Sequence, residues 1–134
     1  MVKATPEQQR HIHLLSDGDL YRQAMTFARQ HQETARHRTT GSQLQGLLQF
    51  SRSWGELDGF VKHQKSKEQA YKTFYEQLHS ELNQIRNKAK SRFVPDNLTK
   101  KQSREQVDFF AGLLAREFIQ HLAAEMMWKE ANLP

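Results

Sequence analysis

A chain of 134 residues with 20 Lys and Arg against 15 Asp and Glu, seven His and no Cys carries a formal charge of +5. The missing cysteines exclude disulfides, thiolate metal sites and thiol nucleophiles together. No segment reaches the run of about 18–20 apolar residues that a membrane span needs, and no apolar stretch follows the polar N-terminus. A soluble, cytoplasmic protein with no membrane role is therefore expected. The length fits one domain over residues 1–134, and a mean hydropathy of −0.87 with 37% hydrophobic residues predicts a lean core. An isoelectric point near 9.6 favours an anionic partner.

The chain reads as helix throughout, because Gln, Leu, Ala, Lys, Arg and Glu dominate while Val and Ile are scarce. Thr5-Pro6-Glu7 opens a first helix: Thr accepts from orphan amides, Pro suits the first turn and Glu complements the dipole. That helix is expected to end near Ser16-Asp17-Gly18, with a second starting at Asp17 or Asp19 and burying Leu20, Ala24, Phe27, Ala28 and His31. A basic loop, Arg36-His37-Arg38-Thr39-Thr40-Gly41, leads to Ser42. Ser42 caps a third helix with the stripe Leu44, Leu47, Leu48, Ser51, Trp54, Leu57, Val61.

The strongest pattern follows a basic linker at 62–67. Ala70, Tyr71, Phe74, Tyr75, Leu78, Leu82, Ile85 and Ala89 share one face over more than five turns, until Pro95 stops the helix and extends the residue before it. Asp96-Asn97 makes a turn. The last helix, from about Lys100 to Lys129, has Val107, Phe110, Leu114, Phe118, His121, Leu122 and Met126 on one side. Phe109, Leu113 and Ile119 widen that stripe, so this helix is the central one. The expectation is an all-α, single-domain, compact bundle of four to five helices.

Signals for chemistry are weak. His11 and His13 point about 200° apart on a helix and cannot share an ion, and Asp17 and Asp19 read as caps, so no metal site and no cofactor is expected. His31 and His37 flank a helix C-terminus, where a partly cationic imidazole suits the dipole. His79 and His121 lie beside or within apolar stripes, with no Ser or Asp at a coupling spacing. No nucleophile elbow, metalloprotease helix or phosphate loop is present. A non-catalytic protein is expected.

The placement of positive charge is more informative. Arg36 and Arg38 sit in one linker, and Lys62, Lys65 and Lys67 in another. Lys88, Lys90 and Arg92 close a helix before Pro95. Lys100, Lys101 and Arg104 open the next one, where the macrodipole prefers acids. An anion such as phosphate would relieve that arrangement, which points to nucleic acid bound by its backbone. Gln43, Gln45, Gln49 and Arg52 form a polar flank that suits phosphate and ribose. Trp54 falls in the core stripe and Trp128 in the last turn, so a base-stacking platform finds little support there.

The segment Thr39-Thr40-Gly41-Ser42-Gln43-Leu44-Gln45-Gly46-Leu47-Leu48, a basic loop feeding a helix, resembles the small helical subunit of type III CRISPR effector complexes. Phe74-Tyr75 with Leu78 and the late Asp108-Phe109-Phe110-Ala111-Gly112-Leu113-Leu114 fall where that subunit has later core helices. The resemblance implies a non-nuclease in a ribonucleoprotein for antiviral defence, self-associating by stacking and partnering other effector-complex subunits. Its basic face would meet the guide/target RNA duplex. Carried over by position, Arg36, Arg38, Gln43 and Arg52 would be contacts, and charge alone adds Lys62 and Lys65. The runner-up reading is a helical adaptor whose basic surface meets an acidic protein. A small enzyme built on His121 or His79 with Glu117 or Glu125 would need a polar pocket reaching the core.

Overall fold

The computed structural model describes residues 2–35, 40–67 and 69–131. The first helix, α1 (Pro6–Leu15), begins where expected. Thr5 and Gln8 close a reciprocal capping box: the Gln8 amide donates to Thr5 Oγ1 at 3.1 Å and the Thr5 amide to Gln8 Oε1 at 2.9 Å.

The expected break near Ser16-Asp17-Gly18 is absent. A π-helical turn (Ser16–Leu20) runs straight into α2 (Tyr21–Gln30), with helical backbone at both junctions. The additional residue of such a turn shifts the helical phase, and Leu15, Ser16 and Leu20 are all buried. Asp17 and Asp19 therefore cap nothing; Asp19 pairs instead with Arg22 and lies 3.7 Å from Lys88. Core contact outweighs the local turn signal of Asp-Gly-Asp.

After the single turn α3 (Gln32–Ala35), α4 starts at Thr40 rather than Ser42 and ends at Phe50. The Thr40 hydroxyl donates to the Thr34 carbonyl and lies 3.5 Å from the Tyr71 hydroxyl. The expected single third helix is two. The Ser51 hydroxyl donates to the Leu48 carbonyl at 2.8 Å, and Ser53 Oγ accepts from the Glu56 amide at 3.2 Å, which closes α4 and opens α5 (Trp54–Lys67). Across this break Phe60 stacks on Phe50 at 4.9 Å and reaches Gly46, where a Cβ would come within 2.7 Å of its ring. The predicted stripe is buried from Leu44 to Val61, with Leu48 half-buried. It faces the core from two helices, not one.

The stretch 62–67 is likewise helical rather than a linker, being the last turns of α5. Val61 is buried there and Lys62 pairs with Asp58 one turn back. Gln69–Tyr71 is a 3₁₀ turn leading to α6 (Lys72–Phe93), whose predicted face is buried at every position from Tyr71 to Ala89, Ala70 alone being exposed. Val94 is extended before Pro95, as its position requires. The last helix, α7 (Lys100–Ala131), packs against α1, the π turn and α2 to α6, which makes it central.

The architecture is thus an all-helical, single-domain bundle with no sheet among the described residues. Among the described residues six helices have ten or more residues and α3 adds a seventh of one turn, against four to five expected; the α4–α5 break and α3 make the difference. No described helix is long and apolar enough to cross a membrane.

Candidate nucleic-acid interface

The two basic clusters around Pro95 are separate in sequence and adjacent in space. α6 ends at Phe93, the chain turns through 94–99, and α7 returns antiparallel along α6. Between them lies a groove of about 510 Å³. Arg86 and Lys90, one turn apart on α6, face Lys100 and Arg104, one turn apart on α7; Asp96 is the lone carboxylate in its lining. Spacing of four residues puts each pair on one helix face.

Three of these cations keep their charge available. Lys90, Lys100 and Arg104 have no carboxylate within ion-pairing distance among the described residues. The fourth is held. Arg86 donates to Asp108 Oδ1 from Nη2 at 2.8 Å and from Nε at 3.3 Å, and its guanidinium lies 5.9 Å from the Trp54 ring centroid. It forms a positioned wall of the groove. Trp54 itself is buried, as its stripe position predicts.

At the mouth, Thr99 and Gln102 close a second capping box: the Gln102 amide donates to Thr99 Oγ1 at 3.1 Å and the Thr99 amide to Gln102 Oε1 at 3.2 Å. Neutral groups therefore cap a helix whose first turn holds no acid. The positive end of its dipole adds to Lys100 and Lys101 rather than being offset. Lys101 is exposed and lies outside the groove lining.

The other predicted contacts meet different surroundings. Arg36 and Arg38 lie outside the described residues. Gln43 Oε1 accepts a hydrogen bond from the hydroxyl of buried Tyr75 at 2.5 Å, which ties this amide to the core. Arg52, in the turn before α5, pairs with Glu56 at 3.3 Å, and Lys62 pairs with Asp58 at 2.9 Å within α5. His79 Nε2 approaches the other oxygen of Asp58 at 3.4 Å. Lys65 is half-buried in the last turn of α5, where its charge suits the dipole. On α6, Lys88 turns towards Asp19 and Arg92 towards α1, so the three cations of that cluster diverge. Arg86 was missed by the sequence reading. Its signal is the four-residue spacing to Lys90, obscured because Asp108 lies 22 positions away.

Two histidines differ from expectation. His31 caps the C-terminus of α2 but is buried between Phe27 and Phe74, with Nε2 lacking a hydrogen-bond partner. Burial pushes its pKa below the ordinary 6.5, against a hydrogen bond to the Gln77 side chain and the charge of Glu81 that act the other way. It is therefore a neutral core residue and not a cation on the dipole. His121 Nε2 lies 3.0 Å from Ser16 Oγ, a coupling across 105 positions made possible by the π turn. Ser16 is only 5% exposed, which suits an internal hydrogen bond rather than attack on a substrate. No group of three or more His, Asp or Glu among the described residues is placed to hold a metal ion.

Comparison with protein-family models, with curated proteins and with solved structures finds no match for this chain.

Proposed function

We propose that this protein is a non-catalytic nucleic-acid-binding subunit that holds RNA by its backbone in the groove between α6 and α7. The observation that carries this reading is the convergence of Lys90, Lys100 and Arg104, without carboxylate partners, beside the anchored Arg86. Lys and Arg at helix-turn spacing on two facing helices suit successive phosphates, and binding through the backbone is independent of sequence. The resemblance of residues 39–48 to the small subunit of type III CRISPR effector complexes supports RNA as the polyanion. It also supports a setting beside other subunits, with stacking between copies.

The test is a titration of fluorescein-labelled RNA at 50 and 200 mM salt with the wild type and with Lys90→Ala/Lys100→Ala/Arg104→Ala. Three phosphate contacts give a salt slope of about 2–3 and a loss of roughly 16- to 60-fold over that range. The triple variant should bind more weakly with a flatter slope on every sequence tried. Unchanged RNA binding in the variant, or retention of an acidic protein and no RNA from lysate at either salt, overturns the reading.

A further inference from the structure

The end of α6 has a second groove on its other flank, against α1. It encloses about 550 Å³ and is lined in part by Arg10, His11, Leu14, Arg92 and Phe93, with Glu7 as its carboxylate. Arg92 and Phe93 line this groove and Val94 lines the α6–α7 groove, so the two linings are neighbours along the chain at the end of α6, though they share no residue. Their chemistry differs. The α6–α7 groove combines its cations with the aliphatic side chains of Val94, Pro95, Leu98 and Val107 and has no aromatic ring in its lining, whereas this one contains two rings, those of His11 and Phe93.

The outer ring is well supported. His11 lies 4.7 Å from Phe93 with a tilt of 41°, and Phe93 stacks on Phe110 at 4.9 Å and 10°. A column of rings therefore runs from the core to the surface and ends in the half-buried imidazole of His11. Leu14, one turn on, is 73% exposed. Arg10 and Arg92 flank them, and neither has an ion-pair partner among the described residues. An aromatic face fixed from behind, between cations and at the same end of α6 as the α6–α7 groove, suits a nucleotide whose base is unstacked.

We infer that the two grooves form one site for a single-stranded stretch of nucleic acid. Phosphates lie along Lys90, Lys100 and Arg104, and the chain crosses the end of α6 past Arg92. There one base rests on His11 beside Leu14. A duplex keeps its bases stacked and paired inside, so it can offer phosphates to the first groove but no base face to the second. The inference rests on the nucleic-acid reading of the α6–α7 groove and makes its substrate class specific.

The experiment uses the full chain and a labelled oligoadenylate decamer, presented single-stranded, as a duplex, and as a decamer of abasic residues. The single strand should bind about tenfold tighter than the duplex at equal salt. His11→Ala should weaken single-strand binding about five- to tenfold with an unchanged salt slope, and His11→Phe should restore it. The abasic decamer should not distinguish His11→Ala from wild type. Leu14→Ser, at a position whose exposure leaves the core intact, should cost the single strand about two- to threefold. Duplex binding as tight as single-strand binding, or full affinity in both His11→Ala and Leu14→Ser, overturns this inference while the groove reading stands. Single-strand binding unaffected by Lys90→Ala/Lys100→Ala/Arg104→Ala overturns both.

Discussion

α5 and the α6–α7 corner both carry cations on exposed helical surface, yet they present very different fields. Arg52, in the turn before α5, and Lys62 within it each have an α5 carboxylate four residues away. At the corner, Lys90, Lys100 and Arg104 have none and share a groove with Arg86, itself held by Asp108. A carboxylate at about 3 Å turns a cation into a short dipole whose field fades quickly in water. Cations that converge without one reinforce each other. Basic residues in a sequence are therefore not equivalent, and the spatial neighbours decide which of them can draw in a polyanion.

The strongest way to break the comparison is charge reversal at both places. Lys100→Glu with Arg104→Glu should lower RNA affinity on the order of a hundredfold at 50 mM salt. Arg52→Glu with Lys62→Glu should lower it by less than about fivefold, a change of bulk charge alone. Equal losses in a titration would mean that net charge, and not the groove, governs binding.

The next effect concerns the support of the groove wall. At Gly112 a Cβ would stand 3.0 Å from the Trp54 backbone nitrogen, so glycine allows the start of α5 to seat against α7, and Trp54 to lie under Arg86. Gly112→Ala should destabilise the protein by about 1–3 kcal/mol in a denaturant titration, because backbone rather than a flexible side-chain end stands in the way. Unchanged stability would show that α5 and α7 can part without cost, and that the wall is less fixed than its contacts suggest.

A pH series sharpens the contrast along α6 itself. Its end lines the basic groove, whereas its start packs Phe74 on buried His31. With its folded pKa below 6.5, His31 takes up its proton at lower pH in the fold than in the unfolded chain. Its contribution to stability is full above pH 6.5 and is lost as pH falls below that value. Melting temperature should therefore drop between pH 7.5 and 5.5, and His31→Leu should flatten that drop. An identical drop in the variant would assign it to other groups.

The smallest expected effect is on α5. Arg52→Ala with Lys62→Ala should change stability by no more than about 0.5–1 kcal/mol, since both cations are exposed helix-surface partners. RNA affinity should stay within about twofold. A larger loss of affinity would restore these residues as contacts.

Much of the helical content was legible because it is local. The Thr5 capping box, the stripe from Tyr71 to Ala89 and the stop at Pro95 all depend on neighbours within a few residues, and each lies where the sequence places it. The failures are equally specific. Asp17-Gly18-Asp19 has the composition of a turn, but burial of Leu15, Ser16 and Leu20 keeps the chain helical through it. The stripe from Leu44 to Val61 has one period over two helices, because both bury the same face and only Ser51 and Ser53 mark the break. Gln43 has the chemistry of an RNA contact, yet the Tyr75 hydroxyl, 32 positions on, binds its oxygen. Of the candidate site, Lys90, Lys100 and Arg104 were legible as charge but not as one groove. Arg86 and His11 acquire their roles only beside Asp108 and Phe93.

By itself the sequence determined the helical class, the lean core and the surplus of positive charge, since propensity, periodicity and composition act over one or two turns or over the chain as a whole. The tertiary structure alone decided where that charge is usable. The turn at 94–99 folds α7 back along α6 and brings Lys90 to Arg104, the fold sets Lys88 beside Asp19, and two acids of α5 take up Arg52 and Lys62. Electrostatic interaction falls with distance in space, and sequence separation does not measure that distance.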